Sequence, residues 1–185
     1  MTRTFVFGGA RSGKSAHAES VAAASGKPVV YVATAQAGDA EMQARIAHHR
    51  ARRDADWTTV EETLALGKVL RAASTPGNLV LVDCLTVWLS NLLFCENIAY
   101  PEIGHIEPPQ RYFREREEFL AAIEQAPGDL VIVSNEVGMG IVPQGAISRW
   151  FVDEAGRLNQ AVAARCERAV WVAAGLPLVL KGQAC

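Results

Sequence analysis

Short, nearly continuous apolar runs alternate along this chain with longer stretches in which apolar residues are spaced as on a helix face. Thr4-Phe5-Val6-Phe7, Val29-Val30-Tyr31-Val32-Ala33, Leu79-Val80-Leu81-Val82, Leu130-Val131-Ile132-Val133 and Ala169 to Ala173 are β-prone and of strand length. Between them the pattern predicts helices. Ser15 to Ala24 is alanine-rich and closed by Gly26 and Pro28. Asp39 to about Arg53 carries Met42 and Ile46 on one face, and Glu61 to Ala73 carries Leu64, Leu66, Val69 and Leu70. Leu85 to Phe94 is apolar enough for a buried helix. Arg111 to Gln125 is charged, with Phe113, Phe119, Leu120 and Ile123 expected inward, and Ile147 to Cys166 is mostly helical. Asn97 to Gln110, with Pro101, Gly104, Pro108 and Pro109, reads as a loop. Gly175-Leu176-Pro177 separates the last strand from Leu178-Val179-Leu180, and a connection that short permits only antiparallel pairing.

Strands that are apolar throughout are buried on both faces. Alternating with helices, they predict an α/β domain: a mainly parallel sheet flanked by helices, with an antiparallel strand near the C-terminus. The 185 residues fit one domain, with the loop near Asn97 treated as an insertion. Half the residues are hydrophobic and 21% charged, which is a globular composition. A net charge of −2 argues against a general nucleic-acid binder. No apolar run approaches the length of a membrane span or of a signal-peptide core, so a cytoplasmic protein is expected. Cys84, Cys95, Cys166 and Cys185 are scattered without a C-x-x-C pair and read as reduced thiols.

The sharpest chemical signal is Gly8-Gly9-Ala10-Arg11-Ser12-Gly13-Lys14-Ser15, which matches G-x-x-x-x-G-K-[ST] between an expected strand and an expected helix. Glycines in such a loop let successive backbone N–H groups turn inward around phosphate oxygens, and the helix N-terminus adds partial positive charge. Lys14 would reach the β- and γ-phosphates, and the Ser15 hydroxyl would bind Mg2+. Asp83, following a buried strand, is the natural acidic partner for that metal, directly or through water. The loop makes the fold P-loop NTPase-type. It admits kinases, NTPases and switches alike, and no N-K-x-D motif reads guanine.

The second signal is Arg45-Ile46-Ala47-His48-His49-Arg50-Ala51-Arg52-Arg53, with four arginines in nine residues. Such a cluster repels itself unless an anion sits within it. A charge run is ordinarily a solvated helix face, and nothing local to it decides otherwise. In Ser134-Asn135-Glu136-Val137-Gly138-Met139-Gly140, two glycines after a strand would let backbone approach a ligand, and Glu136 would orient a nucleophile or a metal-bound water, or simply cap a turn. His105 reads as exposed.

Three stretches taken together, GGARSGKS (Gly8–Ser15), the run from Val32 through RIAHH, and SNEVGMGIVP (Ser134–Pro143), resemble the bifunctional adenosylcobinamide kinase/adenosylcobinamide-phosphate guanylyltransferase family of cobalamin biosynthesis. DCLTVWLSNLLF (Asp83–Phe94) and AGRLNQ (Ala155–Gln160) extend the match over nearly the whole chain. The resemblance implies phosphorylation of the aminopropanol hydroxyl of a corrinoid by ATP or GTP. GMP then passes from GTP to that phosphate by way of a GMP–histidine, here His48. It also implies that Gly8–Ser15 (Gly8, Gly9, Ala10, Arg11, Ser12, Gly13, Lys14, Ser15), Thr34, Ala35, Gln36, His49, Arg50, Ala51, Arg52, Glu61 and Asp83 bind nucleotide, and that the protein is a homotrimer. Some members carry Glu where this chain has Asp83, and the basic run after the histidines varies. On the residues alone, two rivals stand: a kinase whose histidines only hold phosphate, and an NTP-dependent binding module.

Overall fold

The computed structural model describes residues 1–35, 56–96 and 98–183. Among them the chain runs β1 (Arg3–Gly8), α1 (Lys14–Ala24), β2 (Val29–Ala33), β3 (Thr58–Glu61), α2 (Leu66–Ala73), β4 (Leu79–Asp83), α3 (Leu85–Phe94), α4 (Gln110–Gln125), β5 (Asp129–Asn135), α5 (Ala146–Arg165), β6 (Arg168–Ala173) and β7 (Leu176–Lys181). The expected helix from Asp39 to Arg53 lies outside the described residues.

The strands form one seven-stranded sheet in the order β3-β2-β4-β5-β1-β6-β7. Every pairing is parallel except β6 with β7. The α/β reading therefore holds, including its antiparallel end. Along β4 and β5 alternate side chains feed two separate cores. Val80, Val82, Leu130 and Ile132 join Phe5 and residues of α2, α3, α4 and α5, including Leu70, Trp88, Phe119 and Val162. Leu79, Leu81, Val131 and Val133 face the other way with Val6, Val170, Val172 and Ala18 and Ala22 of α1. Each fully buried side chain of this size contributes about 1.5–3 kcal/mol of apolar transfer. Both faces of the central strands are thus covered, which is why their sequences are apolar throughout.

Three expectations need correction. Glu61 ends a strand rather than starting a helix. Thr58, Thr59 and Val60 form the sheet's outer strand against β2, and the helix that follows begins only at Leu66. The intervening turn is held by Glu62, whose Oε1 accepts the N–H groups of Leu64 (2.8 Å) and Ala65 (2.9 Å). Phe113 is exposed, not inward. Tyr112 takes the buried place and donates its hydroxyl to Glu154, and burial together with that bond pushes the phenol well above its usual range. Leu176 and Pro177 belong to β7 rather than to the connection. The turn is only Ala174-Gly175, both at positive φ (52° and 78°), as a two-residue hairpin requires. The loop expectation holds for residues 98–109, with Gln110 already in α4. No helix among the described residues is long and apolar enough to cross a membrane.

Candidate functional site

All five inner parallel strands except β6 end where the sequence placed chemistry. Gly8 ends β1, Ala33 precedes Thr34, Asp83 ends β4 and Asn135 ends β5. Their registers keep these ends level: Gly8 pairs with Asn135, and Ala33 with both Asp83 and Glu61. The carboxyl edge of a parallel sheet is where ligands bind.

The phosphate loop is built by close approach. A Cβ at Gly8 would stand 2.2 Å from the Val172 carbonyl oxygen, so β6 can lie against β1 there only because the residue is glycine. Gly13 has φ 95° and is the residue before α1, and a Cβ on it would meet the Gly175 Cα at 3.0 Å. Arg11 also has positive φ (56°). The Ser12 N–H donates to Gly9 O (3.2 Å), closing the loop, and the His17 N–H donates to Gly13 O (2.9 Å), opening the helix. From outside, the β6–β7 turn fastens the loop: the Gly175 N–H donates to Ser12 O at 2.8 Å.

Lys14, almost fully buried, curls back so that its Nζ donates to Gly9 O at 3.1 Å. Burial lowers its pKa from the usual 10.5, and the neighbouring Cys84 and Asp83 groups oppose that shift. The Cys84 thiol is itself pushed up by burial and by the Asp83 carboxylate, so it stays protonated at neutral pH. Asp83 is therefore the anion that matters to Lys14. Its Oδ2 accepts the Tyr31 hydroxyl at 3.1 Å.

Behind these groups lies a polar frame of which the sequence reading named only Thr34 as a site residue, and that for nucleotide binding. Thr34 is completely buried, and its Oγ1 both accepts the Cys84 N–H (2.9 Å) and donates to the Cys84 carbonyl (2.8 Å). Its N–H donates to Asp83 O (3.1 Å), and its carbonyl accepts from Asn91 Nδ2 (2.8 Å). Thr34 thus clamps the Asp83–Cys84 peptide in place. Asn135 Nδ2 donates to Thr86 Oγ1 (2.6 Å), and Asn159 Nδ2 donates to Asn135 O (3.1 Å). The available signal was polar residues, Thr86 and Asn91 among them, inside a mostly apolar helix.

The described site thus brings together Gly8 through Ser15, Thr34, Ala35 and Asp83, with Glu61 at the outer edge of the same end of the sheet. Gln36, His48, His49, Arg50, Ala51 and Arg52 lie outside the described residues. Among the described residues no three His, Cys, Asp or Glu side chains cluster as a metal site. Ser15 and Asp83 are hard oxygen donors of the kind magnesium takes alongside phosphate oxygens and water.

Residues 4–180 match the model of a family described as cobinamide kinase / cobinamide phosphate guanyltransferase. The chain belongs to this family. It is 54% identical over 181 residues to the bifunctional adenosylcobalamin biosynthesis protein CobP of Pseudomonas aeruginosa, covering 98% of each chain. To the protein CobU of Escherichia coli, named with the same description, it is 40% identical over 184 residues, covering 95% of this chain and 98% of that one. Among solved structures, an ATPase of a bacterial type III secretion system superposes with a TM-score of 0.56 at 12% identity, over 96% of this chain and 56% of that one. That likeness concerns the fold alone, and it agrees with the P-loop NTPase reading. In this member of the cobinamide kinase family, the phosphate loop and Asp83 stand on strands separated by one other strand, β5.

Proposed function

We propose that the protein phosphorylates adenosylcobinamide with ATP or GTP and then transfers GMP from GTP to the phosphate so formed, releasing pyrophosphate. The observation that carries this reading is the built phosphate loop, with Lys14 buried at its centre, in a chain that matches the kinase/guanyltransferase family over residues 4–180. In the first reaction the loop N–H groups and the N-terminus of α1 hold the triphosphate, and Lys14 offsets charge on the β- and γ-phosphates. Ser15 and Asp83 would hold magnesium, which when bound neutralises phosphate charge. Residues Gly8–Ser15, Thr34–Gln36, His49–Arg52, Glu61 and Asp83 make up the nucleotide site, Thr34 by fixing the Asp83–Cys84 peptide.

In the second reaction a nitrogen of His48 attacks the α-phosphorus of GTP, and the bond to pyrophosphate breaks with its electron pair leaving on pyrophosphate. A phosphate oxygen of the corrinoid then displaces His48 from the GMP. A neutral imidazole suits this role because it is nucleophilic near working pH. The neighbouring arginines neutralise the departing pyrophosphate. The protein acts in the cytoplasm as a homotrimer, which sedimentation would register at three times the 19.9 kDa chain mass.

The test is GTP labelled at the α-phosphate, offered to wild type and to His48→Asn and His49→Asn. Wild type takes up acid-labile, alkali-stable label. His48→Asn takes up none yet still phosphorylates cobinamide, because phosphoryl transfer to a hydroxyl needs positioning and charge stabilisation rather than a histidine nucleophile. Label persisting on His48→Asn and lost from His49→Asn would assign the nucleophile to the other histidine. No label on wild type would leave the protein a plain kinase.

A further inference from the structure

We propose that Glu136 is the catalytic base of the phosphoryl-transfer step, the group that takes the proton from the attacking hydroxyl. The inference rests on the kinase reading above. It starts from the sheet order. β5 is the strand inserted between β1, which carries the phosphate loop, and β4, which carries Asp83. Gly8 pairs with Asn135, and Asp83 pairs with Val133. The chain leaving β5 therefore enters the site between the phosphate loop and Asp83, and Glu136 is its first residue.

Its position is fixed by bonds on both sides. The Glu136 N–H donates to Gly8 O at 3.0 Å, tying its backbone to the start of the phosphate loop. Just before it, Asn135 is held through its side chain by Thr86 and through its carbonyl by Asn159. Just after it, the chain turns so that the Gly138 N–H donates to Glu136 Oε1 at 2.6 Å. A Cβ on residue 138 would crowd that same oxygen at 3.1 Å, so glycine lets the loop fold back onto the carboxylate. Oε1 is held, and no lysine or arginine among the described residues forms an ion pair with Glu136. An oriented carboxylate not committed to a cation is what a general base requires.

The other carboxylates at this edge are less suited. Neighbouring strands stand about 4.8 Å apart, so β3 and Glu61 lie roughly 19 Å across the sheet from β1, against about 5 Å for β5 and Glu136. Asp83, two strands from β1, is bonded by Tyr31 and lies in the field of Lys14. The ammonium of Lys14 is a donor to Gly9 O and a partner for phosphate, not an acceptor.

The step balances simply. The hydroxyl oxygen forms a bond to the γ-phosphorus, and the bond from that phosphorus to the β,γ-bridging oxygen breaks. Its electron pair leaves with the nucleoside diphosphate. The hydroxyl proton goes to Glu136 Oε2 and from there to water.

The test uses the full chain with Glu136→Gln and Glu136→Asp. Phosphorylation of cobinamide is measured at saturating nucleotide, and GMP transfer is measured separately on cobinamide phosphate made beforehand. Removing the base should lower kinase kcat about 10²–10⁴-fold in the Gln variant. Nucleotide KM and GMP transfer should stay at wild-type values, and the Asp variant should recover part of the loss. Gln and wild-type turnover within a factor of about three, well below what a general base contributes, would overturn the assignment. So would kinase and GMP transfer falling together, which is the behaviour of a purely structural turn. A wild-type protein that phosphorylates no cobinamide would sink the kinase reading itself, and that is read from the control rather than from the variants.

Discussion

Replacing Thr34 by valine removes one oxygen from a completely buried place and changes the volume little. Two hydrogen bonds go with it, both to Cys84. The consequences for the two backbone groups differ. The Cys84 carbonyl keeps a second donor, the Trp88 N–H at 3.2 Å, so its loss is one modest bond, about 0.5–1.5 kcal/mol. The Cys84 N–H donates to Thr34 Oγ1 and would be left buried without that acceptor, at about 1–3 kcal/mol. The sum is about 1.5–4.5 kcal/mol, a large share of the 5–15 kcal/mol typical of a domain. Thr34→Ser keeps the hydroxyl and loses a methyl group, which should cost only about 1 kcal/mol. Urea unfolding of the nucleotide-free protein measures both, read from the midpoint at constant m. Thr34→Val should be clearly the more damaging. The reasoning fails if Thr34→Val lies within about 0.5 kcal/mol of wild type, the range of an ordinary surface change, or if Thr34→Ser costs more than Thr34→Val.

Lys14→Met should abolish both kinase and GMP transfer while stabilising the nucleotide-free protein, because burial opposes the charged ammonium. The folded-state pKa is lowered from 10.5, so the unfolded chain binds more protons between the two values and wild-type stability rises with pH across that window; thermal unfolding of Lys14→Met across the same pH range should lack that rise. Asp83→Asn should raise the magnesium concentration needed for half-maximal turnover, and a magnesium titration identical to wild type would remove Asp83 from the metal site.

What the sequence made legible follows from burial. β1, β2, β4 and β5 are covered on both faces, so their apolar runs announce themselves. The phosphate loop is readable because a conformation like that of Gly13 demands glycine at a fixed spacing. β3 is different in kind. It is a four-residue edge strand with largely exposed side chains, and Thr-Thr-Val-Glu offers no apolar run to count. Phe113 was expected inward with Phe119, Leu120 and Ile123, yet Tyr112 takes the buried place and its hydroxyl finds Glu154. The Thr34–Cys84 clamp was invisible for another reason. It joins residues fifty positions apart through a single hydroxyl, and a buried threonine at a strand end looks like any β-branched residue.

The tie between Gly175 and Ser12 has a consequence for how the protein is made. β1 is made before the other strands of its sheet, and the two strands that flank it, at 129–135 and 168–173, are made more than a hundred residues later. The phosphate loop takes its last brace from a turn later still. Forming it requires closing a loop of most of the chain, the kind of non-local pairing that slows folding. A nascent chain that has not yet delivered the β6–β7 hairpin therefore carries every residue of the phosphate motif without its braced shape, so competence to grip a triphosphate waits until Gly175 has been made and the hairpin has folded back onto Ser12.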